Sequence, residues 1–175
     1  MTNEEVGNYL DEHFVSCYQK VGTFRLVNGQ KQGGNVASYF CLSDGSVLHA
    51  VAGPVDAATL LREARWVIDS RKLAMTESNG DYDRYLDFFR KAHADRLRHE
   101  HRLKIDTTAL AAQMGDKMDK DPRQLLRRIR KGASAQAQVH LLLAVLPLAN
   151  ITEIYPVVFE KILGEKISTL PVQVN

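Results

Sequence analysis

The sequence predicts an α/β unit followed by an all-α extension, on three observations. Val36 to Val51 reads as two strands joined by a tight turn, and an amphipathic helix follows the Gly53-Pro54 corner. Beyond Asp81 the apolar residues recur at helical spacing. The charge balance changes at the same place. From Met1 to Gly80 there are 7 Lys and Arg against 9 Asp and Glu, a net −2. The totals of 23 and 21 leave 16 against 12 for the remainder, a net +4. The chain is therefore expected to divide into an α/β unit over 1–75 and a helical unit over 81–175, with "MTESNGD" as linker.

The elements follow in order. Asn3 to Glu12 places Val6, Tyr9 and Leu10 on one helical face, and Thr2 with Glu5 forms a capping-box pattern. "HFVSCYQKVG" suits a strand. Thr23 to Val27 reads as another, with Asn28-Gly29 as a hairpin turn, and Gly33-Gly34 marks a further turn. The apolar run Val36 to Leu42 has the look of a central strand, Asp44-Gly45 supplies the turn, and Ser46 to Val51 returns. Gly53-Pro54 ends that strand because proline cannot donate to a ladder. Asp56 then caps a helix to about Lys72, with Leu60, Leu61, Ala64, Val67 and Ile68 as its apolar stripe. In the second unit, Tyr82 to Leu103 is helical, and Asp106 with Thr107 and Thr108 opens a stretch through Met114. Pro122 starts "PRQLLRRIRKG", which Gly132 terminates. Ala133 to Leu146 is the most apolar helix and the expected centre of this half. In "TEIYPVVFEKILGEKI", Pro156 either kinks the helix or marks its start. "STLPVQV" reads as an extended tail.

The pieces "EEVGNYLDEHFVSCYQKVG", "ASYFCLSDGSVLHAVAG" and "VDAATLLREARWV" give the order helix, strand, hairpin with a DG turn, glycine, closing helix. In that order the first 75 residues resemble the thioredoxin-like family. The resemblance implies a thioredoxin-like sheet, incomplete or variant, in which "TFRLV" folds back into the slot of the family's opening strand, a partner chain fills it, or the sheet is rebuilt; the first is favoured because an unpaired central edge would aggregate. It argues against the family's activity. The CxxC motif, the opening strand and the cis-proline are not present, and Val36 or Ala37 falls where the proline would stand. Disulfide exchange needs an attacking thiolate and usually a resolving thiol beside it.

Other chemistry is sparse. Cys17 and Cys41, 24 residues apart, match neither a redox pair nor a metal-ligand spacing. Both lie in apolar runs and are expected to be buried and inert, although either is a candidate redox thiol acting singly. "HADRLRHEHRLK" contains His93, His99, His101 and Glu100. Residues 99 and 101 lie about 200° apart on a helix, and 93 and 101 are too far apart to share an ion, so no metal site is expected. Arg127, Arg128, Arg130 and Lys131 form the densest basic cluster, a candidate basic surface at a helix end. In 81–104 acidic residues are interspersed among the basic ones, which argues against a phosphate-binding stripe. A Cys41–His49 dyad is not expected, because Leu48 should face Cys41 and His49 the other side. His140 reads as a core or interface histidine. Trp66, Tyr82, Tyr85, Phe88 and Phe89 form either a partner surface or the join between the two halves.

The composition, 45% apolar and 25% charged, is that of a globular chain. No run approaches the roughly 20 apolar residues that span a bilayer. The expectation is a cytoplasmic, non-catalytic protein without cofactor, acting as an adaptor that binds a protein partner or itself. The alternatives are a single-cysteine redox protein and a basic nucleic-acid-binding module.

Overall fold

The computed structural model of the chain describes residues 4–21, 25–27, 30–32, 34–106, 109, 133–168 and 173–174. Its described elements are mixed α and β. Helix α1 is Glu4–His13, and strands β1 (Arg25–Val27) and β2 (Gln30–Gln32) follow. The hairpin β3 (Ala37–Cys41) and β4 (Val47–Ala52) precedes the long helices α2 (Ala57–Ser78) and α3 (Tyr82–His101). Then come α4 (Ala135–Val145), α5 (Ile151–Val157), a π-helical turn at Val158–Ile162, and β5 (Gln173–Val174).

The hairpin forms where the turn chemistry places it. Gly45 takes φ +85°, open to glycine at no steric cost. The Asp44 carboxylate accepts from the Ser46 amide at 2.9 Å. A register shift between Phe40 and Cys41 puts Phe40 opposite His49 and Cys41 opposite Val47. Asp56 caps α2 by accepting from the Thr59 amide at 2.7 Å. The helix does not stop near Lys72, however. It absorbs residues 75–78, read above as linker, and within it the Thr76 and Ser78 hydroxyls find partners in the carbonyls of Lys72 and Met75 and do not compete for the backbone outside the helix. The break falls at Asn79 and Gly80, both left-handed, and Asp81 at once caps α3 through the Arg84 amide.

Two strand expectations are corrected. "HFVSCYQKVG" shows no strand over its described residues: His13 ends α1, and residues 14–21 follow as irregular chain, with Val15 fully exposed and Tyr18 82% exposed. Strand β1 does not pair with the hairpin. It pairs antiparallel with β2, Val27 opposite Gln30, and parallel with β5, so part of the expected tail is a strand; the turn expected at Asn28-Gly29 lies outside the described residues. The hairpin remains a separate two-stranded sheet. Pro156 lies inside α5, and the missing N–H precedes a widened turn in which the Leu163 amide reaches the Val158 carbonyl. The helices expected at 106–114 and 122–132 fall outside the described residues, except that Asp106 accepts from the Ala109 amide.

Core residues come from both halves of the chain. Phe40, Leu48 and Val51 of the hairpin pack with Val67 of α2 and Phe89 of α3. Trp66, Tyr85 and Phe88 lie against this cluster and join the halves, whereas Tyr82 is exposed. Val47 and Ala50 pack instead with Val139 and Leu142 of α4 and with Ile154 and Val158. Helix α4 is buried all along Ala137–Val145, as its apolar sequence predicts. β4 is thus clasped between α2 and α3 on one side and α4 on the other. His49 sits at mid-strand, where the three helices come closest to it.

Candidate functional site

Three histidines meet around β4. His49 comes from the strand, His93 from α3 and His140 from α4, with exposures of 0%, 1% and 0%. Their ring centroids lie 5.2–5.7 Å apart. The rings are walled by Phe40, stacked on His49 at 6.1 Å, and by Trp66, whose edge meets His49 at 5.0 Å.

The hydrogen bonds fix where the protons sit. His93 Nε2 is 3.0 Å from the Leu48 carbonyl, which can only accept, so that nitrogen donates. Burial, followed by repulsion from His49, pushes His93 down to about 3, so the ring is neutral and its Nδ1 bare. His140 Nδ1, 3.0 Å away, donates to it. His140 Nε2 is then an acceptor and faces the Gln136 amide nitrogen at 3.4 Å. The orientation of Gln136 is set by β4: its nitrogen donates to the Ala50 carbonyl at 2.9 Å, and its oxygen accepts from the Ala52 amide at 3.1 Å. Backbone groups of one strand therefore dictate the tautomers of two rings on two helices. Burial also lowers His140 and His49; for His49 the bond to Glu63 opposes the shift without reversing it. His49 gives its Nε2 proton to Glu63 at 3.1 Å, a hydrogen bond of a neutral ring, not an ion pair. Its Nδ1, buried and bare, has no hydrogen-bond partner among the described residues.

Behind His49 runs a charged chain. Burial pushes the Glu63 carboxyl up, but hydrogen bonds from His49 and Arg96 outweigh it and hold the group well below the usual carboxylate range. Arg96 forks onto both Glu63 oxygens, and onto both oxygens of Glu100 at 2.6 and 3.1 Å. Its guanidinium lies 4.7 Å over the Trp66 ring. Trp66 and Arg96 also line an open groove of about 430 Å³ between α2 and α3, with Leu73, Phe88, Lys91 and Asp95.

No protein-family model, curated protein or solved structure matches this chain. Its chemistry rests on the geometry alone.

The residues singled out in the sequence are scattered. Cys17 is exposed after α1, not buried as expected, because the segment around it makes no strand. Cys41 is half-buried at the end of β3, where burial first, then neighbouring Cys17 and Asp44, push its thiol up to about 11. Both thiols are free. His49 faces away from Cys41 in register, as expected, although the bulge sets Val47 opposite Cys41 in place of Leu48. Of the α3 histidines, His93 points inward and His99 is exposed. His101 is half-buried, 5.7 Å from the His140 ring. Arg127, Arg128, Arg130 and Lys131 lie outside the described residues. The cluster itself was not foreseen. The available signal was that His49 in "VLHAV" and His140 in "QVHLLLAV" interrupt apolar runs, where an unpartnered polar group is costly.

The polar donors in reach of a common ion are therefore His49, His93 and His140, with Glu100, His101 and His140 as a second set.

Proposed function

We propose that the protein is a non-catalytic interaction module, a thioredoxin-like frame over 1–75 whose contact surface comes from the helices that follow. The observation that carries this reading is the groove between α2 and α3. Apolar Trp66, Leu73 and Phe88 line it beside charged Glu77, Lys91, Asp95, Arg96 and Glu100. Leu73 stands half-exposed there without any task inside the fold. Apolar surface beside charged groups fits a protein contact, and a furrow between two antiparallel helices suits an amphipathic helix of a partner. The three histidine rings, by contrast, are closed off from solvent. The order of α1, hairpin and α2 supports the thioredoxin-like frame, and no described helix is long and apolar enough to cross a membrane.

The test is sedimentation and co-purification of wild type beside Leu73→Asp. A partner, or a second copy, held by wild type and released by Leu73→Asp supports the groove. Equal retention by both proteins removes the groove, and a strictly monomeric chain that retains nothing removes the module.

Exposure of Cys17 favours a second reading, single-thiol chemistry with a partner's thiol. Alkylation of the native protein, read by intact mass, decides how far it goes. Cys17 is expected to react at neutral pH. Cys41 should react only slowly there and speed up about tenfold per pH unit toward 11, since the thiolate is the nucleophile. Rapid labelling of Cys41 at pH 7 would contradict its burial.

A further inference from the structure

The geometry points to a metal site: we propose that His49, His93 and His140 bind one divalent transition-metal ion, of the zinc or cobalt class. One ring nitrogen from each lies within 4.8 Å of the other two. Two are ready to ligate. His49 donates its Nε2–H to Glu63, and His93 its Nε2–H to the Leu48 carbonyl, so in each neutral ring Nδ1 is bare. These are the outer partners a metal-bound histidine takes, one carboxylate and one backbone carbonyl, which hold the ring and raise its basicity. His49 Nδ1 is buried and has no hydrogen-bond partner among the described residues, a lone pair without a purpose in the apo fold.

His140 is the third ligand. Its Nδ1 lies 3.0 Å from His93 Nδ1, close to the roughly 3.3 Å separating two nitrogens bound tetrahedrally to one zinc ion. The ion would displace the proton they share, which moves to His140 Nε2 at the cost of the 3.4 Å contact with the Gln136 amide nitrogen; that nitrogen keeps its bond to the Ala50 carbonyl. Three neutral imidazoles with no carboxylate among them suit zinc, cobalt, nickel or copper and do not suit calcium or magnesium. Glu63 and Glu100 are balanced by Arg62 and Arg96, so the charged chain beside the ion adds no net charge. The alternative set, Glu100 with His101 and His140, is weaker, because Glu100 is exposed and already held by Arg96.

The experiment is overnight equilibrium dialysis of chelator-stripped protein against Co(II) or Zn(II), because ligands this deeply buried need time to open. One ion per chain is expected, with the intense visible bands of four-coordinate Co(II) and no thiolate-to-metal band. His93→Ala should abolish binding, and the exposed His99→Ala should leave it unchanged. Glu63→Gln should keep the spectrum but weaken binding by roughly 10–100-fold. If His93→Ala does not fold, ring-nitrogen NMR of wild type decides: Zn(II) must shift the resonances of His49, His93 and His140. No bound ion, a thiolate band lost in Cys17→Ser, or shifts confined to other histidines would overturn the site.

Discussion

At Arg96 a single guanidinium serves two carboxylates, Glu63 through Nη1 and Nη2 and Glu100 through Nε and Nη2, while its face covers Trp66. The side chain is mostly buried, and so is that of Glu63. Removing one partner of a buried pair strands the other's charge, at about 3–5 kcal/mol. Arg96→Ala is therefore expected to lower the unfolding free energy, read from urea denaturation, by an amount of that order. Arg96→Lys should fall between, because an ammonium cannot fork onto two carboxylates. Glu63→Gln combined with Arg96→Met should cost less than Arg96→Ala alone. A loss below about 1 kcal/mol for Arg96→Ala, the scale of a surface pair, would show that solvent reaches Glu63.

Among the elements, the hairpin turn is tied to the start of α5. Asn150 caps α5 by accepting from the Thr152 amide at 3.0 Å, and its amide nitrogen donates to the Asp44 carbonyl at 3.2 Å. The Ile151 amide donates to the Gly45 carbonyl at 2.8 Å. A Cβ at Gly45 would sit 2.8 Å from Asn150 Nδ2, whereas one at Gly53 would meet open space. Both glycines have positive φ, so alanine costs about 1–2 kcal/mol at either. Gly45→Ala also displaces the cap of α5, worth about 1 kcal/mol more, and thermal denaturation should rank it below Gly53→Ala. Equal melting points would mean that Asn150 shifts without loss. What could be read from sequence follows the same division. Asp44-Gly45, the Asp56 cap and the apolar run of α4 act through neighbours in the chain, so their outcomes were legible. "FVSCY" has a strand's composition but no partner strand among the described elements, and composition says nothing of partners. The histidine cluster depends on the Phe40/Cys41 bulge and on two helices arriving 44 and 91 residues after His49. No local pattern encodes that meeting.

For the molecule as a whole, three neutral histidines in one interior make stability depend on acidity. Burial depresses His49, His93 and His140 below the ordinary value of 6.5, so the unfolded chain binds more protons than the folded one under mild acid. The contribution is fully present above 6.5 and is lost as pH falls through the window between 6.5 and about 3, the His93 value. Each ring that stays neutral while its unfolded counterpart charges contributes a slope of up to about 1.4 kcal/mol per pH unit. With chelator present, urea unfolding at pH 5 should therefore show a clear loss relative to pH 7.5. A flat profile would mean that the rings take up protons in the folded protein as readily as in the unfolded chain.

The corner at Asn79 and Gly80 sets a mirror along the chain. Glu63 lies sixteen residues before Asn79, and Arg96 sixteen after Gly80; Trp66 and His93, their rings 5.4 Å apart, are thirteen away on either side. Equal arms are what bring the far ends of α2 and α3 together. A residue inserted within one arm would turn everything beyond it by about 100° and slide it by about 1.5 Å, pulling the carboxylate from its guanidinium. The same insertion at the corner would alter only a left-handed bend. In this hairpin, length is as much a part of the message as composition: the spacing between Glu63 and Arg96 is heritable information, and evolution can edit it freely only at the fold line.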